Sequence, residues 1–284
     1  MRISYSALES FTICPAKYKF QYIDRIKVPK SKELVFGTLI HECLRMFHEP
    51  NQPTPLTEDN WLKFFTQKWD SSIYEDNQEE AFAFHQGIDI LKKYYAQNQG
   101  VEFNILNLET PFEVPLLGNR VFPTANQELH QVTGRIDRID KLANGTFEVI
   151  DYKTNKKMPS QGEVDRNLQL SVYYLGLTNR WPSLSKENRP VKLSLYFLRH
   201  GEKLSALRTG QQINQSKEMI LSLIEQVQKS NFEPRANPLC NWCQYQPHCP
   251  LFKHKFINQE SPTVDDQQIR EAIKEYFEIM WDKR

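Results

Sequence analysis

The stretch Glu148-Val149-Ile150-Asp151-Tyr152-Lys153 decides the reading of this chain. It is rich in strand-forming residues and follows the turn pair Asn144-Gly145. Side chains alternate along a strand, so Asp151 and Lys153 share one face about 6.5–7 Å apart. A carboxylate so placed can hold a divalent cation, while the ammonium orients water or balances charge on a phosphate. Taken alone, Asp-x-Lys reads more simply as an ion pair at the end of a strand.

The preceding segment Gly134-Arg135-Ile136-Asp137 changes that balance. A three-residue loop, Ala143-Asn144-Gly145 with glycine in the left-handed position, is a common hairpin form. It pairs Leu142 with Thr146, and the register then carries Asp137 opposite Asp151. Their Cβ atoms would lie about 4.5–5.5 Å apart on one face. Facing carboxylates destabilise a sheet unless a cation sits between them, which points to a metal site.

Working outward, segments 104–115, 130–140, 146–153 and 191–199 read as strands. Four helices are expected ahead of them. The first opens on the capping box Ser6-Ala7-Leu8-Glu9 and is interrupted near Pro15. The others span about 36–48, 58–73 and 79–97, the last with Phe84, Ile88, Leu91 and Tyr95 on one face. Helices at about 164–178 and 211–230 follow, and after a polar break at 258–262 a final amphipathic helix carries Ile269, Ile273, Tyr276 and Met280 on one stripe. The expected domains are 1–258, with a helical insertion at about 56–100, and the tail helix 262–284.

Composition narrows the function classes. Among 284 residues, 39% are hydrophobic, enough for a sizeable core, yet no apolar run reaches membrane-spanning length. The first residues, Met1-Arg2-Ile3-Ser4-Tyr5, lack the apolar region of a secretory signal, so a cytoplasmic location is expected. With ten glycines and neither a Gly-x4-Gly-Lys-Ser/Thr nor a Gly-x-Gly-x2-Gly motif, P-loop and dinucleotide-binding readings are disfavoured. The net charge of +1 hides an asymmetry: residues 1–32 hold seven basic and two acidic side chains, residues 57–80 two and seven. The basic end, with Lys156 and Lys157 after the central strand, can track a polyanion; two solvated faces explain the charges equally well.

Two further groups carry chemistry. His41 follows Gly37 on a helix whose other neighbours look core-facing, so by itself it reads as a packed histidine; Glu109, at the start of the sheet region, reads as a surface carboxylate. The five cysteines do not form a disulfide framework. Cys240-Asn241-Trp242-Cys243 followed by Cys249 instead has the spacing of a zinc or iron–sulfur site. Three thiolates are one short of four. Cys14 and His248 are the candidates for the fourth ligand, and Cys43 reads as a small buried hydrophobe.

In chain order, Cys14-Pro15, Gly37-x3-His41, Gly134-x2-Asp137, Asp151-Tyr152-Lys153, Gln169-x3-Tyr173 and the terminal Cys-x2-Cys-x5-Cys resemble the RecB-like nucleases of the PD-(D/E)XK superfamily. These include CRISPR-associated exonucleases and AddB-type nuclease domains. The resemblance covers roughly residues 2–255. It implies an α/β/α restriction-endonuclease-like core with a mixed sheet, in which a 4Fe–4S cluster on Cys14, Cys240, Cys243 and Cys249 knots the N- and C-terminal segments together. It implies that His41, Asp137, Asp151 and the main-chain carbonyl of Tyr152 ligate Mg²⁺ or Mn²⁺, with Lys153 as catalytic lysine and Glu109 as an upstream glutamate. Gln169 and Tyr173 match a motif flanking the active site; they share a helix face, which fits substrate contact, with helix packing the plainer role for Tyr173.

The expected function is therefore a metal-dependent DNA exonuclease of repair, recombination or CRISPR-type processing. Its expected partners are single- or double-stranded DNA and a helicase or other DNA-processing protein. The rivals are a non-catalytic DNA-binding scaffold of a helicase or integrase complex, and a zinc-knuckle binder in which Asp-x-Lys is coincidental.

Overall fold

A six-stranded mixed sheet organises the computed structural model, which describes residues 1–49, 56–117, 129–187 and 189–256. The chain forms two compact units, Met1–Glu233 and Pro234–Arg284. In the first, β1 (Arg2–Ser4) leads into α1 (Tyr5–Ile13), α2 (Pro15–Tyr18) and a π-helical turn at Lys19–Ile23, then α3 (Lys32–Phe47), α4 (Glu58–Lys68) and α5 (Asn77–Asn98). Strands β2 (Ile105–Leu117), β3 (Leu129–Lys141) and β4 (Phe147–Lys153) come next. Helices α6 (Gln161–Asp165), α7 (Leu168–Arg180) and α8 (Pro182–Lys186) cross to β5 (Val191–Phe197), and β6 (Glu202–Ala206) and α9 (Gly210–Lys229) complete the unit.

Helix ends follow their caps. Ser4, not Ser6, starts α1: its hydroxyl accepts the Ala7 N–H at 3.2 Å, so the expected Ser6–Glu9 box does not form. Ser31 caps α3 and starts it four residues ahead of Phe36. The expected helix 58–73 ends at Lys68, because the Asp70 carboxylate accepts the Ser72 N–H and opens a separate 3₁₀ turn at Ser71–Ile73. The expected 164–178 helix is divided in the same way, with Asn167 capping α7. The expected tail helix lies outside the described residues.

Two short strands, β1 and β6, were not anticipated. β1 precedes every helix, which corrects the expectation of four helices ahead of the first strand. Strand order is β1-β3-β4-β5-β6, with β2 also paired to β3. Since β2 runs along one whole edge of β3, both β1 and β4 use the opposite edge. α1, α7 and α9 pack through Leu8, Leu170, Ile220 and Ile224 on one face of the sheet. On the other face α3, α4 and α5 pack through Leu44, Trp61, Phe65 and Leu91 against Ile150 and Tyr152. Cys43 is fully buried in that second core, as expected. These three layers give the α/β/α arrangement.

One close approach positions the site. The Phe112 ring of β2 fills the space that side chains would need at Gly134 of β3 and at Gly176 of α7: a β-carbon would come within 2.5 Å and 2.6 Å of it. Both neighbours must be glycine for α7 to lie down on the sheet over this ring.

Candidate metal centre

β3 and β4 pair with Arg138 opposite Ile150 and Ile139 opposite Val149. That is the register implied by the three-residue loop, where Leu142 N–H bonds Thr146 O and Gly145 has φ +80°. One step further it sets Asp137 against Asp151. There the main-chain ladder stops, and the Asp137 carboxylate itself accepts the Tyr152 N–H at 2.8 Å. On the other edge of β3, Leu108 faces Arg138 and Thr110 faces Ile136, so Glu109 falls opposite Asp137. Three adjacent strands thus each contribute one carboxylate to a single row. Glu109 holds φ +47° inside a strand, a conformation L-residues rarely adopt, and such strain collects at functional sites.

α3 lays His41 over the strand ends. Its Nε2 lies 3.0 Å from the Tyr152 carbonyl oxygen and its Nδ1 3.4 Å from Asp137 Oδ2. His41, Glu109 and Asp137 offer ligand atoms all within 4.8 Å of one another. Burial works against a charged His41 ring, but the hydrogen bond to Asp137 and the neighbouring carboxylates outweigh it and raise its pKa. Burial and the Asp137 charge together raise that of Glu109. The site therefore draws positive charge.

Asp151 stands apart from this trio. Its Oδ1 accepts a 2.5 Å hydrogen bond from the Tyr173 hydroxyl. Its Oδ2 is 2.7 Å from Lys153 Nζ, outside hydrogen-bond alignment, and is otherwise a buried oxygen without a donor. Burial raises the Asp151 pKa against the pull of Lys153. Lys153 Nζ in turn donates to Gln169 Oε1 at 2.9 Å, and Gln169 Nε2 donates to the Tyr173 oxygen at 2.9 Å. Lys153, Gln169, Tyr173 and Asp151 therefore close a ring of contacts. Tyr173 is only 6% exposed, with its hydroxyl on Asp151.

A cleft of about 670 Å³ opens above these groups. Besides His41, Glu109, Asp151 and Lys153 it is lined by Thr38, Glu42, Arg45 and Arg135, which sequence reasoning missed. A signal existed for two of these: Thr38 and Arg45 follow helical spacing with His41 on one face of α3. For Arg135, 3.6 Å from Glu109 through Nη1, no sequence signal distinguished it from any exposed strand residue.

The nuclease-superfamily model that matches this chain covers residues 2–250, a span that includes every residue of the site. The chain belongs to the PD-(D/E)XK nuclease superfamily. Among curated relatives of this nuclease-family chain, it is 28% identical over 246 residues to an ATP-dependent helicase/deoxyribonuclease subunit of Carboxydothermus hydrogenoformans, covering 77% of this chain and 22% of that protein. The protein of the same name from Streptococcus equi subsp. zooepidemicus is 26% identical over 193 residues, 65% of this chain and 17% of that one. The chain thus spans about a fifth of the length of these relatives. "Gene 69 protein" of Mycobacterium phage L5 is similar over nearly its full length: 22% identity, 88% of this chain and 96% of that one. Among the described residues no helix is long and apolar enough to cross a membrane.

The cysteines occupy both units. Cys14 joins α1 to α2 in the first. In the second, Cys240 lies in the 3₁₀ turn Pro238–Trp242, Cys243 ends it, and Cys249 follows the turn Gln246–His248. None of the five is in a disulfide, and the Asn237 N–H points at Cys240 Sγ at 3.3 Å.

Proposed function

We propose that this protein is a metal-dependent exonuclease that hydrolyses phosphodiester bonds in DNA. The observation that carries the reading is the row Glu109, Asp137 and Asp151 under His41, closed by Lys153. Three carboxylates gathered at adjacent strand ends, with an imidazole over them, fit a hard divalent cation. His41, Asp137, Asp151 and the Tyr152 carbonyl would hold it, with Glu109 beside them. An imidazole donor makes Mn²⁺ a partner as suitable as Mg²⁺. When bound, the ion supplies Lewis acidity, polarising the phosphate and lowering the pKa of water.

The remaining work falls to the chain's own side chains. Gln169 aims the Lys153 ammonium, which offsets charge growing on the phosphate and orients the incoming water. Tyr173 fixes Asp151 by binding one oxygen, while Lys153 lies 2.7 Å from the other. Arg45 and Arg135 on the cleft wall, with Lys156 and Lys157 beyond β4, hold the DNA backbone by charge.

The second unit's Cys240, Cys243 and Cys249, with Cys14 as fourth thiolate, are proposed to bind a 4Fe–4S cluster. Four thiolates leave no open position, so its role is structural, joining segments 226 positions apart. The similarity to helicase/deoxyribonuclease subunits supports a place beside a helicase in DNA repair or recombination.

The test is digestion of end-labelled single- and double-stranded DNA in Mg²⁺ and Mn²⁺, with EDTA as control. Wild type should cleave stepwise from an end and Lys153→Ala should not. Intact DNA in every metal would instead support a non-catalytic DNA-binding scaffold.

A further inference from the structure

A second groove opens beside the cleft, and the two share Glu33, Thr154 and Asn155. It measures about 320 Å³, near the lower end for small-ligand pockets and about right for one nucleobase. Its walls are the start of α3, the beginning of α5 and the segment after β4, with Tyr74 and Phe82 as aromatic surface over the buried Phe36 and with Lys32, Lys156 and Arg199 as cations. Resting on the nuclease reading above, we propose that this groove binds an unpaired base of the nucleic-acid strand next to the reacting phosphate, with Phe82 as its stacking platform.

Phe82 is 63% exposed on α5, a large ring outside the apolar core. Single exposed apolar residues are ordinary on protein surfaces. This one lines a groove continuous with the candidate metal centre. Strand β4 ends at Lys153, and the next residues, Thr154-Asn155-Lys156, run from the cleft into the groove. Arg199 is tied to that path, since its Nε donates to the Thr154 carbonyl at 2.5 Å. Its guanidinium lies 5.7 Å from the centre of the Phe36 ring, with Nη1 buried, and the side chain contributes to the groove wall along which a phosphate chain would run. Of the acidic lining residues, Glu79 is paired with Lys32 at 2.5 Å and Glu33 faces Lys156 and Arg199; Glu75 and Glu80 lie nearby, Glu80 accepting the Trp69 indole N–H at 3.2 Å.

A backbone-tracking cationic path with an aromatic face is the means by which proteins bind single strands without reading sequence. A base within a duplex has no free face to offer Phe82. The groove therefore selects substrates unpaired at this position, and helix α5 becomes part of substrate recognition.

The experiment is fluorescence anisotropy of a short labelled oligothymidine with the full chain in EDTA, where cleavage cannot interfere. Phe82→Ala should bind it roughly 5- to 100-fold more weakly, and Phe82→Trp should bind like wild type. Placing one abasic position along the oligonucleotide should cost wild type the same factor at one register and cost Phe82→Ala nothing further. Duplex binding should not change. Unchanged affinity in Phe82→Ala, equal losses on intact and abasic strands, or no binding of single strands by wild type would each overturn the proposal; the first would leave Phe82 as a protein contact. Because no cleavage enters, a wild type that binds through Phe82 yet fails the digestion assay would sink the nuclease reading and spare this one.

Discussion

Two charged clusters sit side by side on β3 and β4, and they differ in how far the fold encloses them. In the buried cluster, Arg138 is 2% exposed and makes a two-pronged contact to Asp140, 2.7 Å through Nε. Its Nη1 donates to His48 Nε2 at 2.7 Å, the Tyr94 hydroxyl lies 2.6 Å from that ring and 3.1 Å from the Tyr152 hydroxyl, and Phe103 stacks below the guanidinium. Charges cancel and the polar groups have partners. At the candidate metal centre three carboxylates line up beside His41, with Lys153 2.7 Å from Asp151 Oδ2 and Arg135 3.6 Å from Glu109. The first cluster is closed inside the fold, whereas the second lines an open cleft. Tyr152 links them: its phenol belongs to the one, its main-chain N–H and C=O to the other.

The contrast breaks first if the two clusters respond alike to mutation. Asp151→Asn should lower cleavage about 10³-fold or more, yet leave the urea midpoint of metal-free protein unchanged or raised, since it relieves repulsion. A large loss of stability would mean the row is a structural element after all. Arg138→Met should do the reverse: it strands Asp140 in the interior, at a cost of about 3–5 kcal/mol, measured by the same titration.

Acid separates the clusters more finely. Burial, then the Arg138 charge, pushes the His48 pKa down to about 2. The unfolded chain, with an ordinary histidine, binds the extra proton between about pH 6.5 and 2. Stability from a neutral His48 is thus fully present above about pH 6.5 and is lost as pH falls, by up to about 1.4 kcal/mol per unit. Urea midpoints of wild type and His48→Gln should converge on acidification; parallel curves would show that His48 titrates normally. The smallest expected effect is in the Asp151 ring, where Tyr173→Phe should weaken Mn²⁺ binding about 10-fold by calorimetry. No change would mean that Lys153 alone holds Asp151.

The same comparison marks what could be read from sequence. Asp137 and Asp151 were legible because a tight loop transmits register over a few residues. Glu109 was not placed by any such device, since the connection from β2 to β3 is long and leaves the pairing open. In Gly134-Arg135-Ile136-Asp137-Arg138-Ile139-Asp140 the aspartates look alike, yet one meets His41 and the other disappears under Arg138. That distinction depends on His48 and Tyr94, 90 and 44 positions away from Arg138. The strands β1 and β6 were missed because one is three residues long and the other, Glu-Lys-Leu-Ser-Ala, is too polar for an apolar pattern.

The Phe112 ring between Gly134 and Gly176 has an evolutionary corollary. The three positions form a single heritable character. A methyl group gained at either glycine is harmful unless the ring shrinks in the same lineage, so drift at one is conditional on the others. Gly176→Ala should cripple the protein alone and recover with Phe112→Leu. Because α7 also carries Gln169 and Tyr173, the recovered double variant would tell whether descendants can inherit a thinner spacer and still keep Tyr173 within reach of Asp151.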